Sequence, residues 1–222
     1  MTLESIELLS GREDAPVRAS LIVLHGLGAD GGDFVPVCRR LGLESVGPVR
    51  CVLPHAPERP VTRNGGYLMR AWFDLYAPGA DQENMDDVRA SQVLIDGLID
   101  REITRGIPAS RIALMGFSQG CAMALYAGLR HPQRLAGIVA LSGYLPRAGV
   151  LAAEASLANR DLPVFMAHGR HDSVVLPERA DSARRALEAL GQPLEWRDYP
   201  IDHEVSIPEI ADIGRWLQRV LA

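Results

Sequence analysis

Five residues, Gly116-Phe117-Ser118-Gln119-Gly120, constrain this chain more than any other stretch. They stand between Ile112-Ala-Leu-Met115, an apolar run of strand length, and residues 121–129, small and apolar at helical spacing with no proline before Pro132. A strand that turns at once into a helix leaves no room for side chains two residues either side of the turn, hence glycine at both places. The apex residue is forced into a strained backbone conformation and lifts its side chain above the sheet edge. Here the apex is Ser118, and the helix after it aims its first N–H groups and positive dipole end at the same point. Chance alone would produce G-x-S-x-G about 0.1 times in a chain of this composition, so its setting between strand and helix adds much of the weight. The plainer alternative is a Gly-rich turn whose serine merely caps the helix.

Strand and helix patterns alternate on both sides of that turn. Residues 4–9, 20–25, 50–53, 112–115, 135–141, 163–168 and 194–199 read as strands, 20–25 being a nearly continuous apolar run. Helical patterns follow at about 33–40, 85–104, 121–129, 178–190 (capped by Gly191) and 208–221, the last with proline at its first turn. Residues 55–81, rich in Pro and Gly, read largely as loop, and 142–160 as an irregular excursion. The alternation predicts a single α/β domain over residues 1–222, a mainly parallel, doubly wound sheet with helices on both faces.

Charge and composition remove several classes. A net charge of −5 with no basic stripe argues against nucleic acid. The first nine residues lack the basic leader and apolar core of a signal peptide, and no apolar run approaches the ~20 residues of a membrane span. Three cysteines, an odd count, read as buried thiols of a reducing cytoplasm, which makes a cytoplasmic location the expectation. All 23 basic residues are arginine. Without lysine, Schiff-base chemistry, pyridoxal phosphate attachment and the lysine-bearing phosphate loop are excluded.

A serine hydroxyl needs a histidine to take its proton and an acid to orient that histidine. Such partners follow an elbow serine in the order Asp or Glu, then His, each leaving the carboxyl end of a late strand. Asp172 lies just past the strand ending at His168, and His203, just past the final strand, is the one histidine after Asp172. The plain alternatives are a turn aspartate after Gly169 and an exposed loop histidine between Asp202 and Glu204. Asp198 and Asp202 are rival acids, but both lie too near His203 in sequence to be placed by a separate strand.

The second donor to a developing oxyanion should come from the loop after an earlier strand, and His25-Gly-Leu-Gly28 supplies glycine-rich backbone there. The backbone N–H groups of Leu27 and Gln119 are therefore the expected pair, each worth ~2.7–4 kcal/mol of transition-state stabilisation. His25, preceding Ser118 in chain order, reads as a structural hydrogen-bonder of this loop. Gly26-Leu-Gly-Ala-Asp-Gly31 also matches a dinucleotide fingerprint, but the acid expected some 20 residues on is missing from Arg50-Cys-Val-Leu-Pro-His55.

Taken in order, His25-Gly-Leu-Gly, Arg70-Ala-Trp-Phe-Asp74, Gly116-Phe-Ser-Gln-Gly120, His168-Gly-Arg-His-Asp172 and Asp202-His-Glu-Val205 resemble the carboxylesterase/acyl-protein thioesterase family of small α/β-hydrolases over nearly the whole chain. The resemblance implies a serine hydrolase that cleaves carboxylic ester or thioester bonds of short- to medium-chain acyl substrates through an acyl-enzyme, with neither metal nor cofactor. Acyl-protein thioesterase or lysophospholipase activity is the implied physiological role. Partners would be lipid-like esters or acylated protein. By the same resemblance the Trp72-Phe73 loop folds over the site, and Leu68, Met69, Val174 and Val175 line the acyl pocket. For Leu68, Met69, Trp72 and Phe73 the competing expectation is a loop tucked onto the core, and an exposed apolar rim there would suit a homodimer contact. The family pattern Asp-Pro-Val-Val-Pro is replaced here by Asp172-Ser-Val-Val-Leu-Pro177, and the residue before the base, often small, is Asp202. Two further classes remain: a binding module that senses acyl ligands without turnover, and acyl transfer to an acceptor other than water.

Overall fold

Ala19-Ser-Leu-Ile-Val-Leu24 is buried at every position, as a strand covered on both faces must be. This strand, β2, lies inside a seven-stranded sheet with β1 (Ser5–Ser10), β3 (Val49–Pro54), β6 (Ile112–Phe117), β7 (Gly137–Leu141), β8 (Val164–Gly169) and β9 (Leu194–Tyr199). The order is β1-β3-β2-β6-β7-β8-β9; β1 runs antiparallel to β3, and every other neighbouring pair is parallel. The computed structural model describes residues 3–11, 14–76 and 83–222. Residues 12–13 of the first polar turn and 77–81 of the expected 55–81 loop lie outside the described residues.

Alternation along each strand sorts the core into two layers. Ile22, Leu24, Leu114, Ile138 and Met166 meet α2 (Met85–Thr104), α3 (Gln119–Arg130) and α5 (Pro177–Ala189). Leu21, Val23, Met115, Val139 and Phe165 meet α1 (Val35–Cys38) and α6 (Ile207–Val220). A one-residue slip would exchange the two sets, so the register is fixed by both layers at once. The helices start where their sequences provide for it. Asn84 accepts from the N–H groups of Asp86 and Asp87 at the head of α2, and Ser206 and Glu209 form a reciprocal capping box at the head of α6.

Two segments differ from expectation. The helix read at 33–40 is a 3-10 turn, Gly31–Phe34, followed by the four-residue α1. Pro36 sits in its first turn, the one place where a missing N–H breaks no helical bond. The stretch read as loop from 55 contains an antiparallel hairpin, β4 (Glu58–Val61) with β5 (Tyr67–Arg70). Strands of four residues, one carrying Pro60, give no readable alternation. The excursion at 142–160 holds only short turns and α4 (Leu151–Glu154).

The chain leaves β2 for β3 on one side, then crosses back to β6 on the other. That reversal opens a crevice at the carboxyl ends of β2 and β6, where ligands of open α/β sheets bind. Among the described residues, no helix is long and apolar enough to cross a membrane.

Candidate active site

Ser118 follows β6 directly, with φ 54° and ψ −115°. A Cβ on Gly116 would fall well inside van der Waals contact with Gly120 O, and one on Gly120 inside contact with Leu24 O. Both glycines are thus required by backbone packing alone. The strained conformation is held by hydrogen bonds from Ser118 N to Leu141 O (2.9 Å) and from Ala122 N to Ser118 O (3.2 Å). The side chain makes no capping bond to α3, so the plain capping-serine reading fails.

Asp172, beyond β8, is 2% exposed. Its Oδ1 accepts from Val174 N (2.9 Å) and Val175 N (2.8 Å), and its Oδ2 lies 2.7 Å from His203 Nδ1. A carboxylate only accepts, so Nδ1 carries the proton and Nε2 of His203 keeps its lone pair. The Phe117 ring packs against the imidazole with centroids 4.7 Å apart. Of the rival acids, Asp198 pairs with Arg170 at 3.2 Å.

The β2 side is fastened differently. His25 is fully buried. Its Nδ1 donates to Gly26 O (2.7 Å) and its Nε2 accepts from Ala56 N (3.0 Å), which fixes one neutral tautomer. Burial holds its pKa below the ordinary imidazole range. Trp72 Nε1 donates to His25 O (2.9 Å). The Gln119 side chain accepts from Trp72 N (2.8 Å) and donates to Phe73 O (2.7 Å). The backbone of Gly26 and Leu27 is thereby tied to the head of α3, where Gln119 begins the helix.

A cavity of about 620 Å³ collects these parts: Leu27, Ser118, Gln119, Val174, Val175 and His203 all line it. Asp172 lies behind His203. The four other residues expected around substrate do not line it. Trp72 and Phe73 are 0% exposed and form the floor under the β2 loop instead of a cover, because their backbone and indole groups are used by Gln119 and His25. Leu68 is 65% exposed on β5, outside the lining, and Met69 beside it accepts from Asn64 Nδ2 (3.3 Å). Their places are taken by Leu75 and Tyr144 near Val175, and by Phe34, Val37 and Val205. Asp33, Arg63, Arg179 and Glu204 add charge to the wall. Tyr144 was findable: it lies three residues past the carboxyl end of β7, where the rule that located Asp172 also applies. Phe34 and Val37 gave no such signal, being ordinary apolar residues of a helical pattern.

An apex serine at the switch point of a doubly wound sheet, sharing a cavity with an acid-buttressed histidine, defines the class: an α/β-hydrolase. The phospholipase/carboxylesterase family model matches residues 10–221. Acyl-protein thioesterase 1 of Gibberella zeae is 36% identical over 213 residues, 91% of each chain, and that of Neurospora crassa is 37% identical over 212 residues, 90% of this chain and 85% of the relative. The crystal structure of Zea mays acyl-protein thioesterase 2 superimposes with a TM-score of 0.85 at 28% identity, covering 99% of this chain and all of that one. The chain belongs to the phospholipase/carboxylesterase family and is a carboxylic ester hydrolase of the α/β-hydrolase fold.

Proposed function

We propose that this hydrolase removes acyl groups from thioesters and esters, acylated protein and lysophospholipid-like molecules among them, by a serine mechanism run by Ser118, His203 and Asp172. The observation that carries the reading is the 2.7 Å Asp172–His203 contact behind a cavity that Ser118 and His203 share. His203 Nε2 takes the Ser118 proton as Oγ attacks the acyl carbonyl carbon. The N–H groups of Leu27 and Gln119 receive the oxyanion. Collapse expels the thiolate or alkoxide, which His203 protonates, leaving the acyl group on Ser118. Water, deprotonated by the same nitrogen, then attacks the acyl carbon and releases the acid. Asp172 never changes protonation; it holds the tautomer and balances the imidazolium. Val174, Val175, Leu75 and Tyr144 offer the acyl chain an apolar wall, and the likeness to acyl-protein thioesterases supports acylated protein as a substrate.

The test is turnover of nitrophenyl esters and of an S-acylated peptide, with labelling by a fluorophosphonate. Ser118→Ala should lose at least about 10⁴-fold in kcat and all labelling while keeping its fold. Undiminished turnover would overturn the assignment, and a wild type that neither labels nor turns over would point to a binding module.

A further inference from the structure

His168, the penultimate residue of β8 and four residues ahead of Asp172, is 2% exposed and does not line the cavity. Its Nε2 lies 2.8 Å from Val175 O and 3.4 Å from Asp172 Oδ2, the same oxygen that meets His203 Nδ1. Both neighbours are acceptors, so Nε2 must carry the proton. Nδ1 then keeps its lone pair, buried without a hydrogen-bond partner among the described residues. Burial pushes the ring's pKa down, against the opposing pull of Val175 O and the Asp172 charge. The other tautomer would aim a lone pair at two oxygens. A charged His168 would compete with His203 for the one carboxylate. The neutral Nε2–H form is therefore the form that fits.

This arrangement closes a ring. Val175 N and Val174 N hold Asp172 Oδ1, which pins one oxygen and leaves the carboxylate free to swing about it. His168 fixes the carbonyl of the same Val175 and approaches Oδ2 as a second neighbour beside His203. We propose that His168 is a positioning residue: its Nε2–H, shared between Val175 O and Asp172 Oδ2, keeps the carboxylate oriented so that His203 Nε2 stays directed at the Ser118 hydroxyl. The proposal rests on the Ser118–His203–Asp172 reading above.

Steady-state kinetics of the full chain with a nitrophenyl ester test it. His168→Leu keeps the bulk and loses the donor. We expect kcat to fall about 10- to 100-fold, as misplacement of a catalytic group does, with KM within about twofold because His168 does not touch the cavity. His168→Gln, whose amide nitrogen reaches the place of Nε2, should return kcat to within about fivefold of wild type. A folded Leu variant with wild-type kcat, a loss confined to KM, or a Gln variant as slow as the Leu variant would each overturn the proposal. Should the Leu variant not fold, ¹⁵N spectra of the wild-type histidines decide: His168 neutral with its proton on Nε2 from about pH 6 to 8 supports the role, and an Nδ1–H or charged ring ends it. Activity surviving in Ser118→Ala or His203→Ala would instead remove the underlying mechanism, an outcome separate from any result at His168.

Discussion

The two walls of the site are buried to the same degree and satisfied to different degrees. On the β2 side, both ring nitrogens of His25, the indole N–H of Trp72 and both ends of the Gln119 amide have partners. Across the sheet, His168 Nδ1 in β8, Ser142 Oγ just past β7 and Glu209 Oε1 in α6 are buried with none among the described residues. A completed polar network in a dry setting has one arrangement, which holds the loop after β2 in one place against the head of α3. An unpartnered lone pair in a buried setting leaves more than one arrangement open, and burial keeps the His168 ring neutral by lowering its pKa.

Breaking the first wall at its tightest point should have the largest effect. Gly120→Ala would set a methyl against the backbone oxygens of Leu24 and His25, with no flexible side chain to yield. Loss of soluble folded protein, or of all turnover with the elbow displaced, is expected by circular dichroism and ester assay; a folded, active variant would show that α3 and β2 can part. Next comes Trp72→Ala, which deletes the largest fully buried side chain and orphans His25 O. The expected loss is about 3–5 kcal/mol, measured by urea denaturation. A loss under ~1 kcal/mol would mean that this wall is not the rigid one.

The head of α6 should respond to pH instead. Glu209 is 1% exposed, and burial raises its pKa to about 7 in the folded chain. Its folded value stands above the unfolded one, so the native state holds a proton that the unfolded state has released. Stability should therefore decline as pH rises through the window from about 4.5 to about 7 and level off above it. Glu209→Gln keeps an acceptor for Ser206 N and removes the charge. Its unfolding free energy should exceed wild type at pH 8, by an amount on the order of 3 kcal/mol or less, and match it near pH 5, read from thermal melts. Equal shifts at both pH values would deny Glu209 the assigned titration.

The contrast also explains what could be read in advance. Ser118, Asp172 and His203 were legible because each stands at a strand's carboxyl end in a fixed chain order, a rule that local sequence states directly. The sheet was legible because its central strands are near-continuous apolar runs such as Leu21–Leu24. For Trp72 and Phe73 the sequence left a cover over the site and a loop tucked onto the core both open, because clustered aromatics among prolines and glycines look alike in either place; the structure buries both. The deciding facts, the Gln119 amide and the His25 carbonyl, lie 47 residues away in sequence in either direction. The hairpin was hidden by the shortness of its strands. His168 gave no signal of its own, since a histidine before Gly169 differs from a core histidine only by where Asp172 turns.

The smallest effect tests the edge of the comparison. Leu68 lies two residues before Arg70, whose carbonyl accepts from Gly28 N at 2.8 Å, so β5 runs from a solvent-facing tip into the β2 wall within three residues. If burial and not sequence proximity defines that wall, Leu68→Ser, at a side chain 65% exposed and outside the cavity, should change stability by no more than about 0.5 kcal/mol. Short-chain ester turnover should stay within about twofold of wild type. A rise in KM that grows with acyl-chain length would show that long substrates reach past the cavity onto the hairpin, and the rigid wall would then end at Ala71 while the binding surface continued beyond it.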